Sequence, residues 1–314
     1  MQWADYAVIC HTRTVAMWPE WMLFEPKTAR DRSYLSSKLN AQRDVAREVL
    51  GAIAGISLFG PADGIVWRGH GDVAWRLESK AGRQGFTASD VLEHETTMLE
   101  QARRIGADNA QYMGDWEILA RLRHHGAATR LIDCTTDPFV ALWFLCDDDK
   151  DDVEHKDGIL LALQRKPFVE IEHPYNRGNY ATAFDVTQYA PARLIYTTPP
   201  IDARIAAQRG VFVLHTDPKS ATESPISELG PLEVPSTRWS TRHQEYLDKL
   251  CASEGLAGAA GRLQIQFPEL IGVVVPAIVK PILTEMLERN FGFRRSTMFP
   301  DFSGMGEFYS ERRS

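Results

Sequence analysis

The stretch ARLRHHGAATRLIDCTTDPFVALWFLC, residues 120–146, begins basic, turns at a glycine and ends in an apolar run that keeps a few polar residues. Apolar residues at helical spacing predict a helix over 116–125, and a short apolar run predicts a strand over 129–132. Asp137-Pro138 indicates the start of a second helix, because proline is favoured in the first turn of a helix. Helix, strand and helix therefore follow one another within one short stretch.

Segments on both sides of this stretch continue the mixture of helices and strands. Further helices are predicted at 39–58, at 91–105 with Ser89 as the N-cap, and at 278–290. Further strands are predicted at 64–69, 158–163, 194–196, 211–215, 263–267 and 271–275. Strand and helix do not alternate regularly, so we predict an α+β fold with a mixed sheet. We expect residues 1–60 to form an N-terminal extension with a helix packing on the core, and residues 61–314 to form one composite domain.

The composition is that of a globular protein. The 314 residues are 44% hydrophobic and 25% charged, which is enough apolar material for a sizeable core. The sequence has neither a run of about 18 to 20 apolar residues nor a signal-peptide pattern, so we expect a cytoplasmic protein without membrane contact. A net charge of −7 argues against nonspecific nucleic-acid binding through bulk charge but leaves a local basic groove open.

Several well-known catalytic and metal-binding motifs are absent from the sequence. It has no GxxxxGK[ST], no GxGxxG after a strand, no HExxH and no GxSxG. His124 and His125 would point about 100° apart on a helix, which makes joint metal ligation awkward. The acidic run 147–152 is typical of a solvated loop, so we expect no metal site. Cys134 and Cys146 are expected to be packed in the core rather than to act as nucleophiles.

Polar residues cluster where the predicted strands end. An arginine beside a glycine suits a phosphate or ribose there, since its guanidinium donates two hydrogen bonds and glycine admits a ligand to the backbone. An ion pair between Arg68 and Asp133 that only stabilises the fold is an equally good interpretation of these two residues. We assign the N-cap of the following helix to Thr136 or Asp137, and a site role to Asp133 and Thr135. The clustered residues are Arg68, Gly69 and His70, then Arg130, Asp133, Thr135 and Thr136, and finally Gln208 with Gly210.

At these residues the sequence resembles a known family. WRGH at 67–70 and LARLRHHGAATRLIDCTTDPFVALWF at 119–144 resemble the two signature blocks of the FRG domain, named for its aromatic-Arg-Gly motif. QRGVF at 208–212 and GFRRSTMFP at 292–300 fit later blocks, so the resemblance runs from about 64 to 309. The family usually has an aromatic residue in place of Cys134 and a proline in place of Ala128, and neither change removes a polar group.

The order of the blocks is similar to that of ADP-ribosyltransferases, which implies NAD as the substrate and a split β-sheet core flanked by helices. In that superfamily a first strand carries an arginine or histidine, a second carries Ser/Thr-x-Ser/Thr before a helix, and a third carries a glutamate. Arg68 matches the first and would anchor the pyrophosphate or ribose, while Thr135 or Thr136 would line the nicotinamide pocket. The NAD-binding residues that the resemblance implies are Arg68, Gly69, His70, Arg130, Thr135, Thr136 and Phe144.

The third block lacks the expected acid. The glutamate is expected two residues past Gln208, where the chain has Gly210. Gln208 can bond a ribose hydroxyl or orient an acceptor, but it carries no charge. Asp133 or Glu95 would then have to stabilise the positive charge that develops as the bond to nicotinamide breaks. Glu95 is otherwise an ordinary surface or bridging carboxylate on a helix. The candidate catalytic residues are Arg68, Asp133, Gln208 and Glu95.

Three classes of function are compatible with the sequence. The first is an NAD-dependent ADP-ribosyltransferase-like enzyme that modifies a protein or a nucleic acid as a toxin or phage-defence effector, held in check by a neutralising partner protein. The second is a noncatalytic regulatory module that binds a nucleotide, which the missing glutamate favours. The third is a nuclease or other hydrolase with His70, His124 or His125 as the general base, since the pKa of histidine suits proton transfer at neutral pH.

Overall fold

The chain forms a mixed α+β structure in a computed structural model that describes residues 6–11, 21–26, 39–75, 77–147, 153–166, 168–171, 180, 193–199, 202–215, 270–301, 304 and 306. It divides into two compact units, each built from segments that are far apart in the sequence. The first unit takes residues 1–75, 141–165 and 232–291, and the second takes 76–140, 166–231 and 292–314. The predicted α+β class is confirmed, and the predicted domain boundary at residue 60 stays a prediction.

The described residues contain nine strands and eight α-helices, numbered in chain order. The strands are β1 (Tyr6–His11), β2 (Trp21–Pro26), β3 (Ile65–His70), β4 (Ile132–Thr135), β5 (Gly158–Gln164), β6 (Phe168–Glu170), β7 (Arg193–Thr197), β8 (Gly210–His215) and β9 (Leu270–Val275). The helices are α1 (Leu39–Phe59), α2 (Lys80–Arg83), α3 (Ala88–Ile105), α4 (Asp115–His124), α5 (Pro138–Cys146), α6 (Ala203–Gln208), α7 (Lys280–Phe291) and α8 (Arg295–Met298). Short 3-10 turns cover Ala107–Tyr112 and Ala277–Val279.

The strands of the first unit lie in the order β1, β2, β9, β5, β3. β1 pairs antiparallel with β2, and β2 pairs parallel with β9. β5 pairs antiparallel with both β9 and β3. β5 and β9 are buried along almost their whole length, because their sequences GILLALQ and LIGVVV present apolar side chains on both faces.

Helices complete the core of the first unit. α1 buries Val45, Val49 and Ile53, which recur at helical spacing along one face. α5 begins in a segment of the second unit and continues into the first, and its sequence PFVALWFLC is apolar on all sides. Within the part of the chain that the structure describes, none of the helices combines the length and the apolar character needed to cross a membrane.

The strands of the second unit lie in the order β4, β8, β7, β6. β8 pairs antiparallel with β4 and β7, and β6 pairs parallel with β7. α3 and α4 supply much of the core that packs with this sheet. Its large buried side chains are Trp116, Leu119, Leu131, Tyr196 and Phe212. Cys134 is also buried, as predicted.

Most local predictions are confirmed, and two are wrong in detail. The N-cap of α3 is Thr87 and not Ser89: Thr87 Oγ1 accepts a hydrogen bond of 3.2 Å from the Asp90 N–H, and an Asp90 oxygen accepts one from the Thr87 N–H. The strand predicted at 129–132 begins only at Ile132, because the residues before it form the return from α4. The strand predicted at 263–267 lies outside the described residues. β1, β2 and β6 have no counterpart among the predicted strands.

Candidate functional site

The first signature block lies on β3, in the first unit. Val66, Arg68 and His70 share one face of this strand, because side chains alternate along a strand. Arg68 Nε donates a hydrogen bond of 2.9 Å to Nε2 of His70. His70 is buried, and its ring lies 6.2 Å from that of Trp75. The hydrogen bond orients the guanidinium of Arg68 and requires an unprotonated Nε2 on His70.

Gly69, in the same block, is required by helix packing. A Cβ atom at Gly69 would lie 2.0 Å from the carbonyl oxygen of Ala141 and 2.8 Å from the backbone nitrogen of Leu145, both on α5. The structure shows the close approach of a helix at this glycine, and the predicted approach of a ligand stays a prediction. Phe144, on the same helix, is half-buried and packs edge-on against Trp143 with ring centroids 5.1 Å apart.

The second signature block forms the junction between β4 and α5. Thr135 Oγ1 accepts a hydrogen bond of 3.0 Å from the Asp137 N–H, and Asp137 Oδ1 accepts one of 2.9 Å from the Phe139 N–H. Asp137 therefore caps the helix, as one of the two predicted N-caps. Its other oxygen lies 3.0 Å from Nη1 of Arg209. Thr136 is exposed, and its N–H donates to the Arg209 carbonyl. The hydroxyl oxygen of Thr135 thus supports the turn.

Asp133, two residues before Thr135, keeps 35% of its side chain exposed. Arg123, in the last turn of α4, places Nη2 2.5 Å from Oδ2 of Asp133, while its Nε donates to the Leu131 carbonyl. The other carboxylate oxygen, Oδ1, lies 4.0 Å from Nε2 of His124. An arginine thus binds one oxygen of Asp133 and a histidine faces the other. We call Arg123, His124 and Asp133 the accessible cluster.

His124, the last residue of α4, has an enclosed side chain. Its side chain is only 4% exposed, and its ring packs edge-on against Phe212 at 5.5 Å. Among the described residues, its Nδ1 atom has no hydrogen-bond partner. Burial lowers the pKa of His124; Asp133 and Asp202 oppose this effect, and Arg204 and Arg123 add to it. The ring is therefore neutral at neutral pH, where it can accept a proton.

His125 contrasts with its neighbour because its side chain is exposed. The consecutive histidines thus diverge, as the helical spacing predicts. Among the described residues, no group of three or more His, Cys, Asp or Glu side chains is arranged so that it could hold a metal ion.

The third block binds the fourth. Gln208 ends α6, and its Nε2 donates a hydrogen bond of 2.9 Å to the Met298 carbonyl. Arg204 forms two hydrogen bonds with Asp301, at 2.6 and 2.9 Å, and donates a third to the His124 carbonyl. Partial burial raises the pKa of Asp301, but hydrogen bonds from Arg204 and from the Gly304 N–H outweigh it and hold that pKa below its usual value. The amide of Gln208 is therefore committed to holding the C-terminal segment.

Glu95 belongs to a buried polar group in the second unit. It accepts hydrogen bonds of 2.7 Å from the Arg130 N–H and 2.8 Å from Arg130 Nε, and a third from the hydroxyl of Tyr180. The N–H of Tyr180 donates to Asp115, which is itself paired with Arg103. We call Glu95, Arg130 and Tyr180 the buried cluster.

Of the two alternatives predicted for Glu95, a surface carboxylate or a bridging one, the structure shows the bridging one. Its side chain is 0% exposed, so it is a bridging carboxylate of the interior. Burial raises the pKa of Glu95, and Arg130 opposes that rise. The guanidinium of Arg130 also lies 5.6 Å from the centre of the Tyr180 ring. Glu95 and Arg130 thus bind each other rather than presenting their charges to solvent.

The structure divides the predicted site residues between the two units. Arg123, Arg204 and Tyr180 are the important partners that sequence reasoning missed. The sequence could have pointed to Arg123 as a partner, since it directly precedes the paired histidines of the second block. No nearby motif in the sequence points to Tyr180. The first unit carries Arg68, Gly69, His70 and Phe144, and the second carries Glu95, Arg130, Asp133, Thr135, Thr136 and Gln208.

Comparison with known proteins matches one part of the chain to a family model. Residues 63–154 match the family model of the FRG domain, a range that includes both signature blocks and ends before the QRGVF and GFRRSTMFP segments. No curated protein and no solved structure matches the chain.

Proposed function

Because the chain carries an FRG domain at residues 63–154, we propose that it is an ADP-ribosyltransferase-like enzyme that transfers ADP-ribose from NAD to a protein or nucleic-acid acceptor. The observation that carries the proposal is the state of Asp133. Its carboxylate is 35% exposed, stands on the strand of the second signature block and is fixed through Oδ2 by Arg123. As the family resemblance implies, the proposal includes a role for this enzyme as a toxin or phage-defence effector. A neutralising partner protein would hold its activity in check.

The reaction needs an anionic group near the ribose. The bond between the ribose C1′ and the nicotinamide nitrogen breaks, and its electron pair leaves with nicotinamide. Positive charge then develops on the ribose, as in glycoside cleavage. Asp133 accepts a hydrogen bond from a ribose hydroxyl and stabilises that charge, because a fixed anion is stabilising where positive charge develops. An acceptor nucleophile forms the new bond to C1′ and releases its proton to solvent.

Asp133 is the best acid of the candidates for this role. Glu95 is fully buried and satisfied by Arg130 and Tyr180, so its oxygens do not reach a ligand without unfolding their surroundings. Gln208 is uncharged and binds the Met298 carbonyl. Asp133 combines exposure with a fixed orientation, which is what differential stabilisation of a transition state requires.

The test measures free nicotinamide after incubation with NAD, alone and with cell extract or RNA. We expect release by the wild-type chain and a loss of about 100-fold or more in Asp133→Asn, which removes the charge and keeps the shape. Asp44→Asn is the matched control, since Asp44 is also paired with an arginine but lies on the exposed face of α1. Arg68→Ala tests separately the NAD-anchoring role that the resemblance implies for the first block.

Absence of nicotinamide release under every condition, with a folded protein, would overturn the proposal. Tight nucleotide binding without turnover would then support the regulatory-module alternative. Equal release by Asp133→Asn and wild type would reject Asp133 as the acid while leaving NAD cleavage standing.

A second candidate function is a hydrolase that cleaves RNA or DNA. The observation in its favour is His124, a neutral and enclosed imidazole beside an arginine-bound carboxylate. Histidine next to a carboxylate is a common general-base arrangement. NAD-independent cleavage of RNA or DNA, abolished by His124→Gln, would favour this function over ADP-ribosyl transfer.

A further inference from the structure

Trp75 carries an exposed indole ring in the turn that follows β3 of the first unit. The residue is 38% exposed, whereas Trp67, Trp116 and Trp143 are all buried. A single exposed aromatic ring is common on protein surfaces, so the surroundings of Trp75 decide whether this ring has a role.

The turn that carries Trp75 is fixed by Asp72. The N–H of Trp75 donates a hydrogen bond of 3.1 Å to the Asp72 carbonyl. Oδ1 of Asp72 accepts a hydrogen bond of 2.8 Å from the Ala74 N–H, and its Oδ2 lies 3.1 Å from Nζ of Lys156. The backbone and both carboxylate oxygens of Asp72 therefore hold the turn in one shape.

The same turn is tied to the rest of the first unit. The N–H of Val73 donates a hydrogen bond of 2.7 Å to the Asp157 carbonyl. Lys280 is buried, and its Nζ donates hydrogen bonds of 2.7 Å to the carbonyls of both Gly71 and Val153. An aromatic ring on a turn held in this way loses little conformational freedom when it binds a ligand, which favours binding.

The indole ring of Trp75 neighbours the residue that orients Arg68. Its centroid lies 6.2 Å from that of the buried His70 ring, and the two planes are tilted by 60°. Nε2 of His70 accepts the hydrogen bond of 2.9 Å from Nε of the half-buried Arg68. An exposed aromatic ring and a guanidinium are thus linked through one histidine. Such a pair suits a nucleotide, because the ring stacks on a base and the guanidinium binds a phosphate.

We propose that Trp75 is a substrate-binding residue whose indole ring stacks on a heterocyclic base of NAD. The inference deepens the proposed function and rests on it for the choice of NAD as the ligand. Adenine and nicotinamide are both planar aromatic rings, so they share the chemistry that the indole recognises. Trp75 supplies neither a proton nor a charge to the reaction, so its stacking binds the ground state and the transition state alike.

The first part of the test measures binding without turnover. Calorimetry gives the Kd of ADP, nicotinamide mononucleotide and ribose phosphate for the wild-type chain and for Trp75→Leu, which keeps an apolar side chain without a ring. We expect Trp75→Leu to weaken a base-bearing ligand by about tenfold, the effect of losing one stacked base. A loss confined to ADP identifies adenine as the stacked base, and a loss confined to nicotinamide mononucleotide identifies nicotinamide. Ribose phosphate, which has no base, should bind both chains equally.

Two further variants act as references for the binding test. Trp75→Phe keeps an aromatic face and should retain most of the affinity that Trp75→Leu loses. Tyr112→Leu removes an exposed aromatic ring from the second unit and should bind every ligand as the wild type does. Equal affinities of wild type and Trp75→Leu for both base-bearing ligands would overturn the inference, as would the absence of binding of either ligand by the wild type.

Fluorine NMR of the fluorotryptophan-labelled wild-type chain keeps the test decisive where Trp75→Leu does not fold. The resonance of Trp75 is assigned by its loss in Trp75→Phe. We expect this resonance to shift when ADP or nicotinamide mononucleotide is added and to stay in place with ribose phosphate. A Trp75 resonance that does not respond to either base-bearing ligand would overturn the inference.

The second part measures the kinetics of nicotinamide release. Trp75→Leu should raise the KM for NAD by about tenfold and leave kcat nearly unchanged, as for the loss of uniform binding. Absence of nicotinamide release by the wild type, together with base-dependent loss of binding in Trp75→Leu, would reject the proposed function and leave the stacking role standing. Nicotinamide release with the same KM in wild type and Trp75→Leu would overturn the stacking role and leave the proposed function standing.

Discussion

The buried cluster and the accessible cluster are made of similar parts and differ in enclosure. Each joins an arginine, a carboxylate and a ring-bearing side chain in the second unit. Glu95 is 0% exposed, and both of its oxygens accept hydrogen bonds from Arg130, with Tyr180 added at one of them. Asp133 is 35% exposed, and its Oδ1 faces a histidine across 4.0 Å. Residue type alone therefore does not separate a structural ion pair from a candidate site.

The physical reason is the cost of removing charge from water. A buried ion pair is tolerated only when almost every donor and acceptor is satisfied, and such an arrangement has little capacity left for a ligand. A half-exposed carboxylate keeps part of its hydration and can exchange that water for a substrate hydroxyl. The changes below test this difference between the clusters, beginning with the largest expected effect.

Removing the carboxylate of the buried cluster should have the largest effect on stability. Glu95→Ala leaves the Arg130 guanidinium enclosed without its anion, and we expect a loss of about 3–5 kcal/mol in the free energy of unfolding. Urea denaturation measures it. Glu100→Ala, on the exposed side of the same helix, is the control and should change stability by less than about 0.5 kcal/mol. Equal effects at both positions would show that the cluster is not sealed.

Removing one hydroxyl from the buried cluster should have an intermediate effect. Tyr180→Phe keeps the ring between Trp116 and Arg130 but takes away the hydrogen bond to Glu95. We expect a loss of about 1–3 kcal/mol by urea denaturation, because a buried acceptor loses a partner. Tyr112→Phe provides the reference, since Tyr112 is 78% exposed. A loss no greater than that reference would contradict the role of Tyr180.

Removing the negative charge of Asp133 from the accessible cluster should affect activity far more than stability. Asp133→Asn breaks a partly exposed ion pair, so we expect the free energy of unfolding to change by less than about 1 kcal/mol. Nicotinamide release should nevertheless be lost under the proposed function. A destabilisation as large as that of Glu95→Ala would remove the contrast between the clusters.

The smallest expected effect is a change in how the free energy of unfolding depends on acid pH when Asp301 is replaced. Its pKa is lowered in the folded chain, so its contribution to stability is present above the ordinary aspartate pKa of about 3.9 and is lost as pH falls through the lowered value. Asp301→Asn should therefore flatten the dependence of urea stability on pH between about pH 5 and pH 2. An unchanged slope in Asp301→Asn would contradict the lowered pKa.

Much of the local structure was predictable from short patterns. The apolar spacing of α1 and α7 and the Asp-Pro start of α5 predicted helices that the structure contains. Thr87 could have been chosen over Ser89, because Thr87 and Asp90 form a T-x-x-D capping box that is visible in the sequence. The strand predicted at 129–132 starts earlier than β4, because Thr129 and Leu131 are residue types common in strands and yet precede β4 without belonging to it.

The partners of the candidate residues were not predictable in the same way. Glu95 meets Tyr180, and Arg204 meets Asp301, across long intervals of sequence. Sequence spacing gives no measure of such distances, since they depend on how α3, α6 and the strands pack. The same limit applies to Asp133, because the sequence allows both a structural ion pair with Arg68 and a role in a ligand site.

The sequence by itself determined the α+β class, most helices and strands, the capping of α5 by Thr136 or Asp137, and the presence of the FRG signature blocks. These features depend on periodicity, capping chemistry and contiguous motifs, which are local properties of the chain. Only the tertiary structure decided that Glu95 is enclosed, whereas Asp133 is 35% exposed, paired with Arg123 and close to His124. Burial is a property of the packed whole, and burial determines whether a carboxylate stabilises the fold or is available to a ligand.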